Sequence, residues 1–343
     1  MSLAPSSPAS LPAVASIAVY GAGGHTGRFV VAEALRRGMP VVAVGRDAAR
    51  LPAGVPHRVA AIDDAESLTR AFAGSAVVIN CAGPFLDTAA PVAAAAIAAG
   101  AGYLDVTAEQ GSALATFEAF DAPARQAGVT VIPAAGFYGG LADLLASTLA
   151  AGDAVEELTV AIALDRWWPT EGTRKTGARN QLPRVVIEGG RLVPLALPAA
   201  ESTWVFDAPH GAQPVVELPF SEVPTIARHL PVRRMRSLLS RHALADIRDV
   251  ATPPPAASDD QGRSAQHFEM VVELRAGDRT RRATARGQDI YAVSAPLVVE
   301  AAQRLMQPGF DRRGALALAE AFDPAGFLDA LAPGHLTWLR DDR

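Results

Sequence analysis

With 343 residues, half of them apolar and a fifth charged, the chain exceeds most single cores and suits two lobes of ordinary globular composition. A formal net charge of −5, with basic residues scattered along the chain, argues against a nucleic-acid footprint or an anionic membrane surface and directs expectation to a small-molecule substrate. Cys81 is the only cysteine, which rules out an internal disulfide framework and a cysteine-based metal site within the chain, and fits a reducing cytoplasm.

Residues 1–15 lack the basic start and uninterrupted apolar stretch of a secretory signal and read as a disordered leader. Residues 16–20 (SIAVY) are an apolar run that stops at glycines, as a buried parallel strand does. Residues 25–37 put Phe29, Val30, Ala34 and Leu35 at helical spacing, with Arg36 and Arg37 in the last turn and Gly38 as terminator. A strand at 40–44 completes a β-α-β unit. The alternation continues through strand 57–62, helix 65–72, strand 76–81, helix 88–99, strand 103–106, helix 111–127 and strand 129–133. Helix 88–99 lies in an alanine-rich stretch too short to span a membrane and broken by Pro91 and Gly100. Apolar strands between helices predict a parallel sheet covered on both faces.

After Phe137 the pattern changes. A helix over 141–150 is followed by strand-like segments at 157–164, 184–187 and 191–195, then by a hairpin pairing 268–274 with 279–285. Residues 252–257, rich in proline, read as a surface loop, and 295–306 as a helix with Pro296 near its start. The fold class is therefore α/β: a Rossmann doubly wound parallel sheet over 16–137 with an inserted α+β domain over 138–290 for substrate or dimerisation. The segment 291–343 is expected to pack back on the first lobe. A homodimer through the second lobe is one assembly this organisation allows.

The turn after the first strand reads Gly21-Ala22-Gly23-Gly24-His25-Thr26-Gly27, satisfying G-x-x-G-x-x-G through Gly21, Gly24 and Gly27. Glycines there permit a tight turn, let backbone amides approach a pyrophosphate and bring the helix close to the sheet. Its position between a strand and a helix is what makes the motif specific for a dinucleotide. Roughly twenty residues on, where an acid would take the ribose hydroxyls of NAD, stands Arg46. A guanidinium matches a 2′-phosphate through paired charge-assisted hydrogen bonds, so NADP is the expected cofactor. The competing reading leaves Arg46 solvated and gives the ribose to Asp47. Asp63 is positioned for the adenine amino group or for a helix cap. Cys81-Ala82-Gly83-Pro84-Phe85, at the carboxyl end of the fourth strand, would let a nicotinamide ribose lie against backbone, with Cys81 a small packed residue rather than a nucleophile.

Five blocks occur in order: GAGGHTGR (21–28), VGR (44–46), VVINCAGPF (77–85), YLDVTAE (103–109) and IPAAGFYGGLADLLA (132–146). Together they resemble the saccharopine dehydrogenase-like reductases, a family that includes proteins similar to trans-acting enoyl reductases. The resemblance implies an NADP-binding Rossmann lobe, an α+β lobe inserted before a terminal helix, and oxidoreductase chemistry. The stretch from Gly136 to Asp143 departs from the family's G-F-D-x-x-P-S-D pattern, so substrate contacts do not transfer.

Hydride transfer also needs a group that polarises or protonates the acceptor. Tyr138, after the sixth strand, is one candidate, its alternative being an aromatic packed on the second lobe. Lys175, the chain's only lysine, lies in what reads as a polar Gly/Thr-rich loop over 170–177 and is the other, because a buried lysine can lose its proton. Arg174 and Arg179 are candidate grips for a substrate anion, and Trp167-Trp168 a candidate apolar wall. The histidines show no metal-binding spacing, so no metal is expected. A non-catalytic NADP(H) sensor or scaffold is the competing function.

Overall fold

The computed structural model describes residues 16–150, 152 and 154–341; the leader expected over 1–15 lies outside the described residues. The first half alternates: β1 (Ser16–Tyr20), α1 (His25–Arg36), β2 (Val41–Gly45), β3 (His57–Val59), α2 (Ala65–Phe72), β4 (Ser75–Asn80), α3 (Phe85–Ala98), β5 (Gly102–Asp105), α4 (Gln110–Ala127) and β6 (Thr130–Ile132). A π-helical turn at Phe137–Leu141 leads into α5 (Ala142–Ala150), β7 (Val155–Leu164), α6 (Glu171–Arg179), β8 (Val185–Glu188), β9 (Arg191–Pro194), β10 (Glu201–Val205) and β11 (Ala212–Glu217). Then come α7 (Glu222–Ala227), β12 (Val232–Ser240), α8 (Arg241–Arg248), β13 (His267–Ala276), β14 (Arg279–Gln288) and α9 (Ser294–Leu305). The chain closes with β15 (Gly314–Ala315), α10 (Leu318–Ala321), α11 (Pro324–Leu331) and β16 (Leu336–Asp341).

Seven strands form a parallel sheet in the order β3-β2-β1-β4-β5-β6-β15. The central strands are apolar on both faces because both are covered. Ile17, Val19, Val77 and Ile79 face one apolar cluster, while Ala18, Tyr20 and Val78 face the other. The strand order reverses between β1 and β4, where Tyr20 and Asn80 are paired neighbours, and ligands of such sheets sit in the crevice at that point. The α/β Rossmann class is thus as expected.

The second sheet is mixed, in the order β10-β11-β12-β7-β13-β14-β16, with β8 pairing β12 and β9. Its strands are antiparallel except for the β12–β7 pair. One apolar cluster runs from Ile17 through Leu144 and Leu145 of α5 and Leu297 and Val298 of α9 to Val160 and Met270 of the second sheet. Shared burial of this kind fixes the two lobes relative to each other.

Several elements differ from expectation. Residues 171–179 are helix, not loop: Thr170 Oγ1 accepts the Thr173 amide at 3.0 Å, and Lys175 pairs with Glu171 one turn earlier. That cap and pair hold a helix despite Gly172 and Gly177. Helix α3 begins at Phe85, before the expected 88, because the Glu109 carboxylate supplies the acceptor for its first amides. Of the terminal segment, α9 packs on α1 and β15 pairs with β6, but β16 pairs with β14 and so extends the second sheet.

Candidate functional site

A cleft of about 850 Å³ runs from the glycine turn at the reversal point to the second lobe. Its outer end is built from β1, the turn and α1. Gly21 has φ +80°, a left-handed conformation suited to glycine. A Cβ on Gly27 would stand 2.2 Å from the Gly21 carbonyl oxygen, and one on Gly23 would stand 2.4 Å from that of Arg50. No side chain caps α1 and no acid lies in its first turn, so its leading amides are available to an anion.

Arg46, directly after β2, and Arg50, in the short 3₁₀ turn Ala48–Arg50, line the same end of the cleft with Arg28. Asp47, the competing ribose partner, also lines it, but its Oδ1 accepts the Ala49 amide at 3.0 Å and so caps its own turn. Asp63 is exposed and does not line the cleft; its neighbour Ile62 does, and Asp64 caps α2 through the Ser67 amide. Ala22 and Gly27 are buried behind the turn instead of facing the cleft, while Gly21, Gly23, Gly24, His25 and Thr26 line it.

The loop after β4 carries Cys81, Ala82, Gly83, Pro84 and Phe85 along the cleft wall. A buried hydrogen-bond chain holds it. Asn80 accepts the Ala82 amide at 3.0 Å and donates at 3.3 Å to both Thr88 and Tyr103. The Tyr103 hydroxyl donates to Asp105 at 2.9 Å, and Asp105 also accepts the Thr107 and Ala134 amides. Burial pushes the Asp105 carboxyl up to about 6, with the hydrogen bonds from Ala134, Thr107 and Tyr103 opposing the rise. Glu109 accepts the amides of Phe85 at 2.8 Å and Leu86 at 3.2 Å, and burial raises its carboxyl as well. Burial pushes the Cys81 thiol up, the Asp105 charge adding to it, which favours the unreactive thiol form.

The inner end is aromatic. The ring of Tyr138 lies 4.2 Å from that of Phe220 and 6.0 Å from that of Trp167. Its hydroxyl is buried and has no hydrogen-bond partner among the described residues. Tyr138 is aimed here by the π-helical turn, in which the Leu141 amide reaches back to Gly136 at 3.2 Å. Gly139 and Gly140 make the turn possible, since a Cβ would meet the Ala134 oxygen at 2.3 Å or the Ala135 oxygen at 2.7 Å. Tyr291 joins the lobes: its hydroxyl accepts from the Trp167 indole at 3.1 Å and sits 2.9 Å from Thr173 Oγ1. The His25 ring meets Tyr291 edge-on at 5.4 Å. Burial lowers the His25 pKa, Asp289 opposing and Arg28 adding, so the imidazole is held toward its neutral form.

Lys175 lines the cleft from α6, yet its side chain is 56% exposed and bound to Glu171 at 2.5 Å, so the burial expected of it is missing. Arg174 donates to the carbonyls of Asp249 and Thr252, and Arg179 pairs with Asp87 at 2.9 Å; neither lines the cleft. Trp167 lines the cleft but Trp168 does not. Residues missed from sequence include Glu109, Arg184, Phe220 and Tyr291, all on the cleft wall. Glu109 stands in one of the five sequence blocks; the other three carry no local signal, since only tertiary packing brings them here. Among the described residues no cluster of His, Cys, Asp and Glu suits a metal, and no helix is long and apolar enough to cross a membrane.

Residues 17–132 match the saccharopine dehydrogenase NADP binding domain family. Among solved structures, the triphenylmethane reductase of Citrobacter sp. complexed with NADP(H) is 26% identical over 34% of this chain and 48% of its own, with a TM-score of 0.29. A nucleoside-diphosphate-sugar epimerase from Staphylococcus aureus is 19% identical over 34% of this chain and 50% of its own, also with a TM-score of 0.29. The UDP-glucose 4-epimerase of Thermus thermophilus, in complex with NAD, is 22% identical over 28% of this chain and 38% of its own, at a TM-score of 0.24. The match thus spans half or less of each of these structures. No curated protein matches the sequence.

Proposed function

We propose that this chain, whose residues 17–132 are a saccharopine dehydrogenase-type NADP-binding domain, is an NADP(H)-dependent oxidoreductase for a small organic substrate held at the inner end of the cleft. One observation carries the reading: a single cleft joins the glycine turn and Arg46 to Tyr138, whose buried phenol lacks a hydrogen-bond partner among the described residues. Bound NADPH supplies a hydride equivalent. The residues fit it: the α1 amides and the turn, which a Cβ at Gly23 or Gly27 would block, hold a pyrophosphate. Arg46, flanked by Arg28 and Arg50, takes the 2′-phosphate, and the loop from Cys81 to Phe85 seats the nicotinamide ribose.

Tyr138 holds a proton at Oη for the substrate atom that gains electron density. Burial raises its pKa well above the ordinary phenol value, with Tyr291 and Glu222 adding and Arg184 opposing, so at neutral pH it is a hydrogen-bond donor. Lys175 belongs with the cations of the cofactor's outer end. Its partner Glu171 feels the fields of Arg50 and Arg46 across the cleft. Loss of NADPH absorbance against a panel of carbonyl and enoyl compounds, slowed in Tyr138→Phe, tests the reading. Tight NADPH binding with no oxidation by any compound, coupled to a change in oligomeric state, would turn it toward a sensor.

A further inference from the structure

Arg184 stands just before β8 on the wall of the cleft, with its guanidinium 4.8 Å from the centroid of the Phe220 ring. It donates to the Pro219 carbonyl and forms no ion pair with a carboxylate among the described residues. Several other partly buried arginines of this protein are matched by carboxylates. Arg37 binds Glu33 and Glu300, Arg286 binds Glu269 and Asp207, and Arg304 binds Glu300. A guanidinium withdrawn from water without a counter-charge is costly, and a ligand anion is one way to remove that cost.

The acid nearest by its field, Glu222, does not serve. It is fully buried, and its Oε1 is already engaged by the Phe220 amide at 2.8 Å. Burial raises its pKa, against the hydrogen bonds it accepts and the Arg184 charge, which disfavours the carboxylate form. The Tyr138 ring also packs on Phe220, at 4.2 Å, with only 8% of the residue exposed and its hydroxyl unpartnered among the described residues. Arg184 and Tyr138 thus line one aromatic end of the cleft, the first without a carboxylate and the second without a hydrogen-bond partner among the described residues.

We infer that the inner end of the cleft is a subsite for a flat, largely apolar organic carboxylate, its acid group held by Arg184 and its body lying along Tyr138, Phe220 and Trp167. The inference rests on the oxidoreductase reading of this same cleft and names its substrate class. A carboxylate suits a lone planar guanidinium through two parallel hydrogen bonds. A phosphate would need more charge, and the other cleft cations, Arg28, Arg46, Arg50 and Lys175, line the nucleotide end. The rings of Tyr138, Phe220 and Trp167, packed on one another with centroids 4.2–6.2 Å apart, make one aromatic wall, which favours a planar unsaturated body over a polar one.

The test is calorimetry on the full chain loaded with NADP⁺, titrated with benzoate, trans-cinnamate and 2-naphthoate, with their methyl esters, and with phenyl phosphate. At least one acid should bind 10-fold or more tighter than its ester. Arg184→Met should erase that preference while leaving NADP⁺ affinity and melting temperature near wild type. Arg184→Lys, which keeps the charge but not the fork, covers the case in which the methionine variant misfolds, and should lose about 5-fold. Equal binding of acids and esters, retention of the preference in Arg184→Met, or tighter binding of phenyl phosphate than benzoate would overturn the inference. A wild-type protein that fails to bind NADP⁺ would instead sink the oxidoreductase reading, so the two failures are distinct.

Discussion

Nε2 of His229 lies 2.7 Å from Oδ1 of Asp143, joining the end of α7 to the fully buried start of α5. The other Asp143 oxygen accepts the Ala319 amide at 2.8 Å, so one carboxylate ties three segments together. Burial opposes a charge on His229, and Arg312 does too, but the field and hydrogen bond of Asp143, with Glu320 adding, win and raise its pKa. A raised value means that folding takes up a proton. The ionic contribution is complete below the unfolded value of about 6.5 and is lost as pH rises through the folded value above it. The wild type should therefore exceed His229→Gln by about 2 kcal/mol at pH 6, with the gap closing above neutrality. Denaturant titrations at pH 6 and 8.5 check this; a gap that widens with pH contradicts it.

Gly27→Ala should abolish NADPH binding and lower the melting temperature. The added Cβ would lie 2.2 Å from the Gly21 oxygen and 2.9 Å from Ala22 Cα, both backbone atoms that cannot swing aside. Either the turn opens or α1 lifts from the sheet, and the phosphate cradle is lost in both cases. Gly172→Ala, where the nearest atom is the Thr170 hydroxyl at 3.6 Å, is the matched control and should bind NADPH as wild type does. Fluorescence titration of NADPH distinguishes them.

The parts of the fold legible in the sequence are those whose cause is local. Strands such as Ser16–Tyr20 and Ser75–Asn80 have apolar centres because both faces are covered, and Gly21 marks where the first ends. Strand Val232–Ser240 is not legible, because Arg233, Arg234 and Arg236 interrupt it, although Met235, Leu238 and Leu239 are buried. Helix Glu171–Arg179 is hidden by two glycines and rests on a cap visible only as a contact. The same holds for the site. The glycine turn declares itself, whereas Arg174, Arg179 and Arg184 are alike in sequence, and only their tertiary partners show which one faces the cleft.

Arg46→Ala should weaken NADPH binding by about 10- to 100-fold, the worth of a charge-assisted pair, while leaving NADH affinity little changed. Arg46 has no ion pair among the described residues, so its removal breaks no internal contact of that kind. Asp47→Ala, which deletes the cap on the Ala49 amide, should cost stability without altering the NADPH to NADH ratio. Parallel calorimetry with both nucleotides decides between Arg46 and Asp47; equal losses for both nucleotides in Arg46→Ala would count against the 2′-phosphate role.

Tyr138→Phe should separate activity from stability. The hydroxyl it deletes is buried and unsatisfied, so the ligand-free protein loses a desolvated polar atom and no hydrogen bond, while the ring contacts with Phe137, Phe220 and Trp167 remain. The variant should be as stable as wild type or more so, by up to about 1 kcal/mol, as expected where a functional group is kept at the expense of stability. Turnover should fall by about 10²- to 10⁴-fold, the usual contribution of a positioned proton donor, with NADPH affinity unchanged. If the tyrosine only packs, kcat will survive the change; if its hydroxyl instead holds a structural water, the variant will melt lower than wild type.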